Sequence, residues 1–283
     1  MPCRHESRLG CQGFSGTPKL SGSEATTRPG ASGEPSGTPR RLRKRTSKAW
    51  RPRRSSRAII RLVTAPPTDP LDFRGVRHAY DEVARDYAAY LPDTRPEAQL
   101  DLAMIDAFAE AVTSSDDAQI LDAGCGAGRM SRYLADRGCD VQGVDLSPGM
   151  VAMARGDHGD LQFTVGSLTD LPYPGGRFTG VMLWYSIIHT PPAGLPRIFA
   201  ETIRVLRAGG HVIVGFQSGE GTRDVSQAYR RFGHEIELER HLHTPEHVAS
   251  TMEAAGLGEV SRLVRRGAGN ERDDQAVLLA RAE

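Results

Sequence analysis

Apolar and polar positions along the chain predict helices and strands in alternation. Apolar side chains at helical spacing predict a first helix over residues 73–91 and a second over 96–112. Further along, short apolar runs predict strands, and helical spacing returns between them: a strand ending at 121, helix 129–138, strand 140–145, helix 148–155, strands 161–165 and 181–185, helix 195–207 with a glycine stop at 209–210, and strand 211–216. This alternation predicts an α/β fold with a doubly wound, mostly parallel sheet.

The pattern changes after residue 216. Residues 234–239 alternate strictly, with their glutamates on one face, and so predict a half-buried strand. The Thr-Pro pair at 244–245 predicts the start of a helix that runs to residue 255. Strands over about 258–265 and 275–281, joined by a polar loop, are expected to form an antiparallel hairpin.

The charge of the chain divides at about residue 70. Residues 1–70 carry 15 Lys and Arg against 4 Asp and Glu, whereas residues 71–283 carry 21 against 31. The first segment is also rich in Gly, Ser, Thr and Pro, and we expect 1–68 to be a disordered basic tail. The domain, 69–283, carries a net negative charge, which argues against nucleic-acid binding. The basic tail could bind nucleic acid or act as a targeting segment, or the assigned start of translation could lie too far upstream.

Residue counts exclude several classes of chemistry. The lysines are Lys19, Lys44 and Lys48, so the domain after them has neither a Walker-type phosphate lysine nor a Schiff-base lysine. The four cysteines are too few and too scattered for a disulfide framework or a zinc site. No apolar run approaches the roughly 18 residues of a membrane span, and we expect a soluble, cytoplasmic protein.

Residues 119–129 carry the clearest chemical signal. The apolar end of a strand is followed by Asp122 and then by three glycines at alternate positions, after which helical spacing resumes. Strand, glycine turn and helix open a nucleotide-binding βα unit, because glycines let a ligand approach the backbone. The next strand ends on Asp145, which is placed to accept hydrogen bonds from ribose hydroxyls. The two signals together predict a nucleotide-type cofactor.

Five segments carry a family likeness. They are YDEVARDY at 80–87, LDAGCGAG at 121–128, VDLSPGM at 144–150, LTDLP at 168–172 and RVLRAGG at 204–210. In this order they resemble the class I S-adenosylmethionine-dependent methyltransferases, and within them the small-molecule group that includes quinone-biosynthesis methyltransferases. The resemblance implies a seven-stranded sheet with helices on both faces, S-adenosylmethionine as cofactor and a small-molecule methyl acceptor.

The resemblance also implies roles for single residues. Asp122 and the turn formed by Gly124, Cys125, Gly126 and Gly128 would hold the amino and carboxylate groups of the cofactor's methionine moiety, with Cys125 as a small space-filling residue rather than a reactive thiol. The other implied contacts are Asp145 with the ribose, Leu146 and Met150 beside the adenine, and Ser167 and Leu168 near its amino group. Tyr80 and Tyr87 either close over the cofactor or pack their helix against the sheet. Ser167 stands where many relatives carry an acid.

The acceptor side of the site is less specific. The cofactor half is expected at about 115–216, and a substrate roof from about 72–95 and 217–243, but neither the acceptor nor its methylated atom can be read from the chain. His189, just past strand 181–185, is the candidate general base, or alternatively caps the turn that follows it. Trp184 and Tyr185 either line the methyl-transfer region or belong to the core. We expect no metal, because nothing completes the ligand-like histidines at 241, 243 and 247. No pattern indicates the oligomeric state.

Two other functions compete with methyl transfer. A nicotinamide-dependent oxidoreductase also uses strand, glycine turn, helix and a distal acid. The spacing Gly-x-Gly-x-Gly and the position of Asp122, which would face a pyrophosphate badly but an ammonium group well, argue against it. A non-catalytic cofactor-binding regulatory module is the second alternative.

Overall fold

The computed structural model describes residues 71–114, 117–230, 232–269 and 271–283. The predicted disordered tail lies outside the described residues. The α-helices are α1 (Arg74–Tyr90), α2 (Gln99–Thr113), α3 (Arg129–Ala135), α4 (Pro148–Asp157), α5 (Leu195–Val205), α6 (Gln227–Arg230) and α7 (Pro245–Ala254). The strands are β1 (Gln119–Ala123), β2 (Asp140–Asp145), β3 (Gln162–Val165), β4 (Phe178–Trp184), β5 (Leu206–Ser218), β6 (Thr222–Asp224), β7 (Glu239–His241), β8 (Leu257–Arg265) and β9 (Asp274–Ala282).

A seven-stranded sheet forms the centre of the domain, in the order β3-β2-β1-β4-β5-β9-β8. The pairs from β3 to β5 are parallel, whereas β9 is antiparallel to both β5 and β8. The predicted fold class is therefore confirmed. Strand order reverses between β1 and β4, and open parallel sheets bind ligands at the carboxyl ends of the strands beside such a reversal.

Two large apolar clusters cover the two faces of the sheet. Successive residues of a strand point to opposite faces, so Val181 and Leu183 pack in one cluster and Met182 and Trp184 in the other. The first cluster includes the buried faces of α5 and α7, and the second those of α2 and α3. The sheet is thus buried on both sides, as a parallel sheet requires.

A third, smaller apolar cluster lies away from the sheet and is called the roof cluster here. Its buried members come from α1, the glycine turn, α4 and the segment before β7: Ala79, Val83, Ala84, Ala127, Met150, Ile236 and Leu238. This cluster joins the two segments that were predicted to form a roof.

Side-chain caps fix the start of two helices as predicted. The Ser147 hydroxyl accepts a hydrogen bond from the Met150 amide at 3.0 Å, and Pro148 occupies the first turn of α4. The Thr244 hydroxyl accepts from the His247 amide at 3.2 Å at the start of α7. Both boundaries follow from local chemistry alone.

The predicted start of α2 and the predicted end of α5 are wrong. Helix α2 begins at Gln99 rather than 96, because Ala98 has extended backbone and Glu97 turns to an ion pair with Arg129. Helix α5 ends at Val205 and β5 follows at once, so Gly209, at φ 71°, lies within the strand irregularity between β4 and β5 instead of ending the helix.

The predicted strand over 234–239 is also wrong in its bounds. Its alternating burial is present, with Ile236 and Leu238 buried between exposed glutamates, but only Glu239–His241 pairs as a strand, with β6. The Leu238 amide instead donates to the Ser226 hydroxyl at 3.0 Å. Alternation reports burial of one face, whereas a strand also needs a neighbour with which to pair.

Candidate active site

A pocket of about 800 Å³ opens at the carboxyl ends of the parallel strands, beside the reversal of strand order. Its size lies within the usual range for small-molecule sites. The predicted site residues that line it are Tyr80, Tyr87, Asp122, Gly124, Cys125, Gly126, Asp145, Leu146, Met150, Ser167, Leu168 and His189. Gly128 is not among the lining residues, and it lies at the start of α3 behind the turn.

The glycine turn needs glycine because of its backbone conformation. Gly124, Gly126 and Gly128 have φ of 83°, 54° and 85°, in the left-handed region that side chains disfavour. A Cβ at Gly124 would also lie 2.2 Å from the Cβ of Ser186. A Cβ at Gly126 would meet only Tyr87, at 3.9 Å, so the turn presents bare backbone to the pocket there.

Cys125 is buried inside this turn and has the character of a space-filling residue. Burial raises the pKa of its thiol well above the usual value, and the nearby carboxylates of Asp145 and Asp122 raise it further. A thiol with a raised pKa is a poor nucleophile at neutral pH.

Asp122 is buried at the end of β1, 1% exposed. One of its oxygens accepts a hydrogen bond from the Ser131 hydroxyl at 2.6 Å. Burial raises the pKa of this carboxyl to about 7, although the Ser131 hydrogen bond opposes the shift. Asp122 therefore exchanges a proton near neutral pH, so a cationic group arriving in the pocket would favour its charged form.

Asp145 ends β2 and connects the glycine turn to α4. One carboxylate oxygen accepts from the Gly126 amide at 2.8 Å and the other from the Ser147 amide at 2.8 Å. Burial raises the pKa of this carboxyl, while the two amides lower it. Each carboxylate oxygen has a second lone pair, so the side chain can accept further hydrogen bonds from a ligand in the pocket.

Ser167 follows β3 and is partly engaged in its own turn. Its hydroxyl lies 2.9 Å from the Thr169 hydroxyl and accepts from the Thr169 amide at 3.2 Å. Any contact with a ligand therefore shares the hydroxyl with these local bonds.

A hydrogen-bonded chain crosses the pocket from α1 to β7. The Tyr80 hydroxyl lies 2.8 Å from Nε2 of His189, and Nδ1 of His189 lies 2.5 Å from the Glu239 carbonyl oxygen. A carbonyl only accepts, so Nδ1 carries the proton and Nε2 accepts from Tyr80. Both nitrogens of the imidazole are thereby occupied.

The pKa of His189 differs from the usual value for histidine. Burial, together with the nearby positive charge of Arg240, lowers this pKa to about 4, although the hydrogen bond to the Glu239 carbonyl opposes the shift. At neutral pH the ring is uncharged but weakly basic, and its acceptor nitrogen is taken by Tyr80. The catalytic role of His189 remains a prediction, and its contacts favour positioning Tyr80 over removing a proton.

An ion pair that the sequence reasoning missed holds one wall of the pocket. The Arg129 guanidinium contacts both oxygens of Glu97, at 2.6 and 2.7 Å, and the two side chains are 13% and 5% exposed. Glu97 also accepts from the Trp184 indole at 3.2 Å. Arg129 directly follows the glycine turn, but its partner lies 32 positions earlier, and no local spacing connects them.

Trp184 and Tyr185 both line the pocket and also pack against the second cluster. Tyr185 has φ of 52°, the only positive value outside glycine in the described part of the chain, and its hydroxyl donates to Gln275 at 2.8 Å. Non-glycine residues in this region tend to occur where a site constrains the backbone. Gln275 lies at the start of β9. This residue and residues 271–273, which precede β9, also border the pocket and were not predicted to do so.

The second predicted roof segment, 217–243, supplies part of the pocket lining. Gln217, Tyr229 and Arg240 line the pocket. Arg230 and His234 of the same segment do not. That this segment covers an acceptor stays a prediction.

The predicted absence of a metal site stays a prediction. A search of the described residues finds no group of three or more His, Cys, Asp or Glu side chains able to hold a metal ion. Among the same residues, no helix combines the length and apolar character that crossing a membrane requires.

Parts of the chain are similar in sequence to known methyltransferases. Residues 120–210 match the family described as a methyltransferase domain. The demethylmenaquinone methyltransferase of Beutenbergia cavernae is 34% identical over 148 residues, which are 52% of this chain and 58% of that protein. The malonyl-[acyl-carrier protein] O-methyltransferase of Serratia marcescens is 30% identical over 124 residues, 44% of this chain and 46% of that protein. The chain thus spans about half the length of these relatives.

A solved structure extends the likeness over most of the domain. The 1,6-didemethyltoxoflavin-N1-methyltransferase of Burkholderia thailandensis, solved with 1,6-didemethyltoxoflavin and S-adenosylhomocysteine bound, is similar with a TM-score of 0.57. The match covers 78% of this chain and 93% of that one at 22% identity, so it shows a shared fold.

Proposed function

We propose that this chain, whose domain belongs to the class I S-adenosylmethionine-dependent methyltransferases, transfers a methyl group from S-adenosylmethionine to a small-molecule acceptor. One observation carries the proposal: the Asp145 carboxylate binds the Gly126 amide, so the acid of the second strand and the glycine turn form one continuous surface in the pocket. That pairing provides both an acceptor for ribose hydroxyls and open backbone beside it.

The residues present fit this cofactor. The turn at Gly126 leaves room for a ligand against the backbone, and the Ser186 hydroxyl is buried without a hydrogen-bond partner. We assign the ribose to Asp145, the adenine to Leu146, Met150 and the Ser167–Leu168 turn, and the methionine end to Asp122 and the glycine turn.

S-adenosylmethionine supplies a methyl group on a positively charged sulfur, which is already an activated leaving group. The protein therefore mainly orients the acceptor and excludes water. Tyr80 and Tyr87, whose rings meet edge to face with centroids 6.0 Å apart, cover the pocket from α1. The His189 ring holds the Tyr80 hydroxyl and fixes its direction.

The organisation predicted from the sequence completes the proposal. The cofactor half comprises about 115–216, the acceptor binds beneath a roof from about 72–95 and 217–243, and the tail before residue 69 takes no part in the reaction. The protein acts in the cytoplasm.

Calorimetry with S-adenosylhomocysteine tests the assignment of Asp145. Asp145→Ala leaves the ribose hydroxyls without an acceptor, and the affinity should fall by about 1–3 kcal/mol. Asp145→Asn retains one acceptor and should lose less. Asp140→Ala, at the exposed amino end of the same strand, serves as the control and should bind as the wild type does. An unchanged affinity of Asp145→Ala would remove the assignment.

A further inference from the structure

Arg240 presents a positive charge to the pocket, and no group among the residues that the structure describes neutralises it. It lies on β7 and lines the pocket. Its Nε is buried without a hydrogen-bond partner, and no carboxylate of the described residues lies within ion-pair distance of its guanidinium. A buried donor without a protein partner is costly, and such an atom is satisfied by ordered water or by a ligand that binds there.

Several charges around the pocket are matched. Arg129 pairs with Glu97, and Asp101 and Glu271 both pair with Arg265. Asp273 pairs with Arg223 at 2.6 Å. Arg272 also lines the pocket and forms no ion pair with the described residues, but it is exposed, whereas Arg240 additionally has a buried donor without a partner.

The Arg240 charge lies near His189, the candidate general base, and near Tyr87, which covers the pocket from α1. It contributes to the lowered pKa of His189, and it opposes the rise that burial causes in the pKa of Tyr87. Oε1 of Gln217 is another buried polar atom of the pocket without a hydrogen-bond partner among the described residues. Gln217 is near the end of β5, beside the β4 end that carries Tyr185 and Ser186.

The walls around these polar groups are largely aromatic. Tyr80, Tyr229, Trp184 and Tyr185 line the same pocket. A ligand that satisfies all of these groups has a flat or apolar body and one anionic end.

We propose that the methyl acceptor is an organic anion whose carboxylate pairs with Arg240, with the Gln217 amide bonding a polar group of the same molecule. The proposal rests on the methyltransferase function proposed above and specifies its substrate class. A guanidinium suits this role because its planar array of donors matches the two oxygens of a carboxylate.

The carboxylate of the cofactor must be distinguished from that of the acceptor as the group that pairs with Arg240. S-adenosylmethionine has a carboxylate of its own, and Arg240 would bind it if the methionine end lay under β7. The affinity of the variants for S-adenosylhomocysteine distinguishes the two arrangements, because only a cofactor contact would weaken it.

The test compares carboxylates with neutral amides on the full-length protein saturated with S-adenosylhomocysteine. The pairs are acetate with acetamide, benzoate with benzamide and 1-naphthoate with 1-naphthamide. The dissociation constant of each compound is measured by ligand-observed NMR titration at pH 7.5. We expect at least one carboxylate to bind about tenfold or more tightly than its amide, as a charge-assisted hydrogen bond to Arg240 implies.

Three variants test whether Arg240 causes the preference for carboxylates over amides. Arg240→Gln should reduce it to within about twofold, and Arg240→Lys should retain part of it because the charge remains. Arg230→Gln is the matched control, since this exposed arginine of the same segment does not line the pocket, and the preference should persist.

The outcomes that overturn the inference are distinct. No preference for any carboxylate, or a preference that survives Arg240→Gln, refutes the anionic acceptor. A tenfold loss of S-adenosylhomocysteine affinity in Arg240→Gln assigns Arg240 to the cofactor instead. Failure of the wild type to bind S-adenosylhomocysteine refutes the proposed function itself, and the inference with it.

Discussion

Asp122→Asn should stabilise the protein at alkaline pH. The Asp122 carboxyl is 1% exposed, and burial raises its pKa from 3.8 to about 7. Below pH 3.8 it is protonated in both the folded and the unfolded chain. Between the two values the unfolded chain has released the proton and the folded chain has not, so stability is lost progressively as pH rises and the loss is complete above about pH 7.

The size of the effect follows from the shift. At 1.36 kcal/mol per unit, a shift of this size costs the wild type up to about 4 kcal/mol above pH 7. Asparagine keeps an acceptor for the Ser131 hydroxyl and never ionises, so it avoids this cost. About 3 kcal/mol of the difference develops between pH 5 and pH 8, because that interval contains two units below the folded pKa.

Urea unfolding at several pH values measures this difference. The advantage of Asp122→Asn over the wild type should grow steadily from pH 5 and level off near pH 8. Asp140→Asn, on the exposed end of β2, is the control and should show no such growth. An advantage that does not change with pH would mean that Asp122 is already charged in the folded protein, and the account of its burial would be refuted.

Three further predictions concern the turn, the histidine and the tail. Gly124→Ala should cost at least about 2 kcal/mol of stability in thermal or urea unfolding, because the new Cβ meets Ser186 and the backbone has positive φ; a normal melting temperature would contradict this. His189→Ala should lower turnover while the affinity for S-adenosylhomocysteine stays within about twofold. Because the pKa of His189 is about 4, the dependence of the wild-type rate on pH should show no step from this residue near pH 6.5. A step near pH 6.5 that disappears in the variant would show that His189 acts as the general base. A chain shortened to begin at Asp69 should melt and bind S-adenosylhomocysteine as the full chain does, and a large drop in melting temperature would show that the tail supports the domain.

The sheet and the cofactor side of the site were predictable because their signals are local. The three glycines adopt positive φ because of steric limits that operate within the turn, and Ser147 caps α4 through a bond three residues away. Asp122 and Asp145 each lie at a strand end, and parallel strands bring their carboxyl ends to one edge. Sequence order therefore implied spatial proximity.

The acceptor side could not be predicted in this way. Arg240, Gln217 and Glu97 reach the pocket from segments whose position depends on long-range packing, and their spacing contains no repeat. The segment that holds Arg240 also holds several other basic residues, and the fold alone selects which of them faces inward. The lowered pKa of His189 has a related cause, because its two hydrogen-bond partners come from α1 and β7, far away in the sequence.

The roof cluster has a consequence for how the protein opens. Its residues on α1 and before β7 pack with one another and with α4, apart from the two clusters that hold the sheet. A unit with its own small core can detach at a lower free energy than global unfolding requires. We therefore expect the backbone amides of α1 and the segment before β7 to exchange hydrogen with solvent together and sooner than those of the central strands. The rate at which one cofactor molecule replaces another would then be set by the brief release of this unit, while the sheet beneath it stays intact.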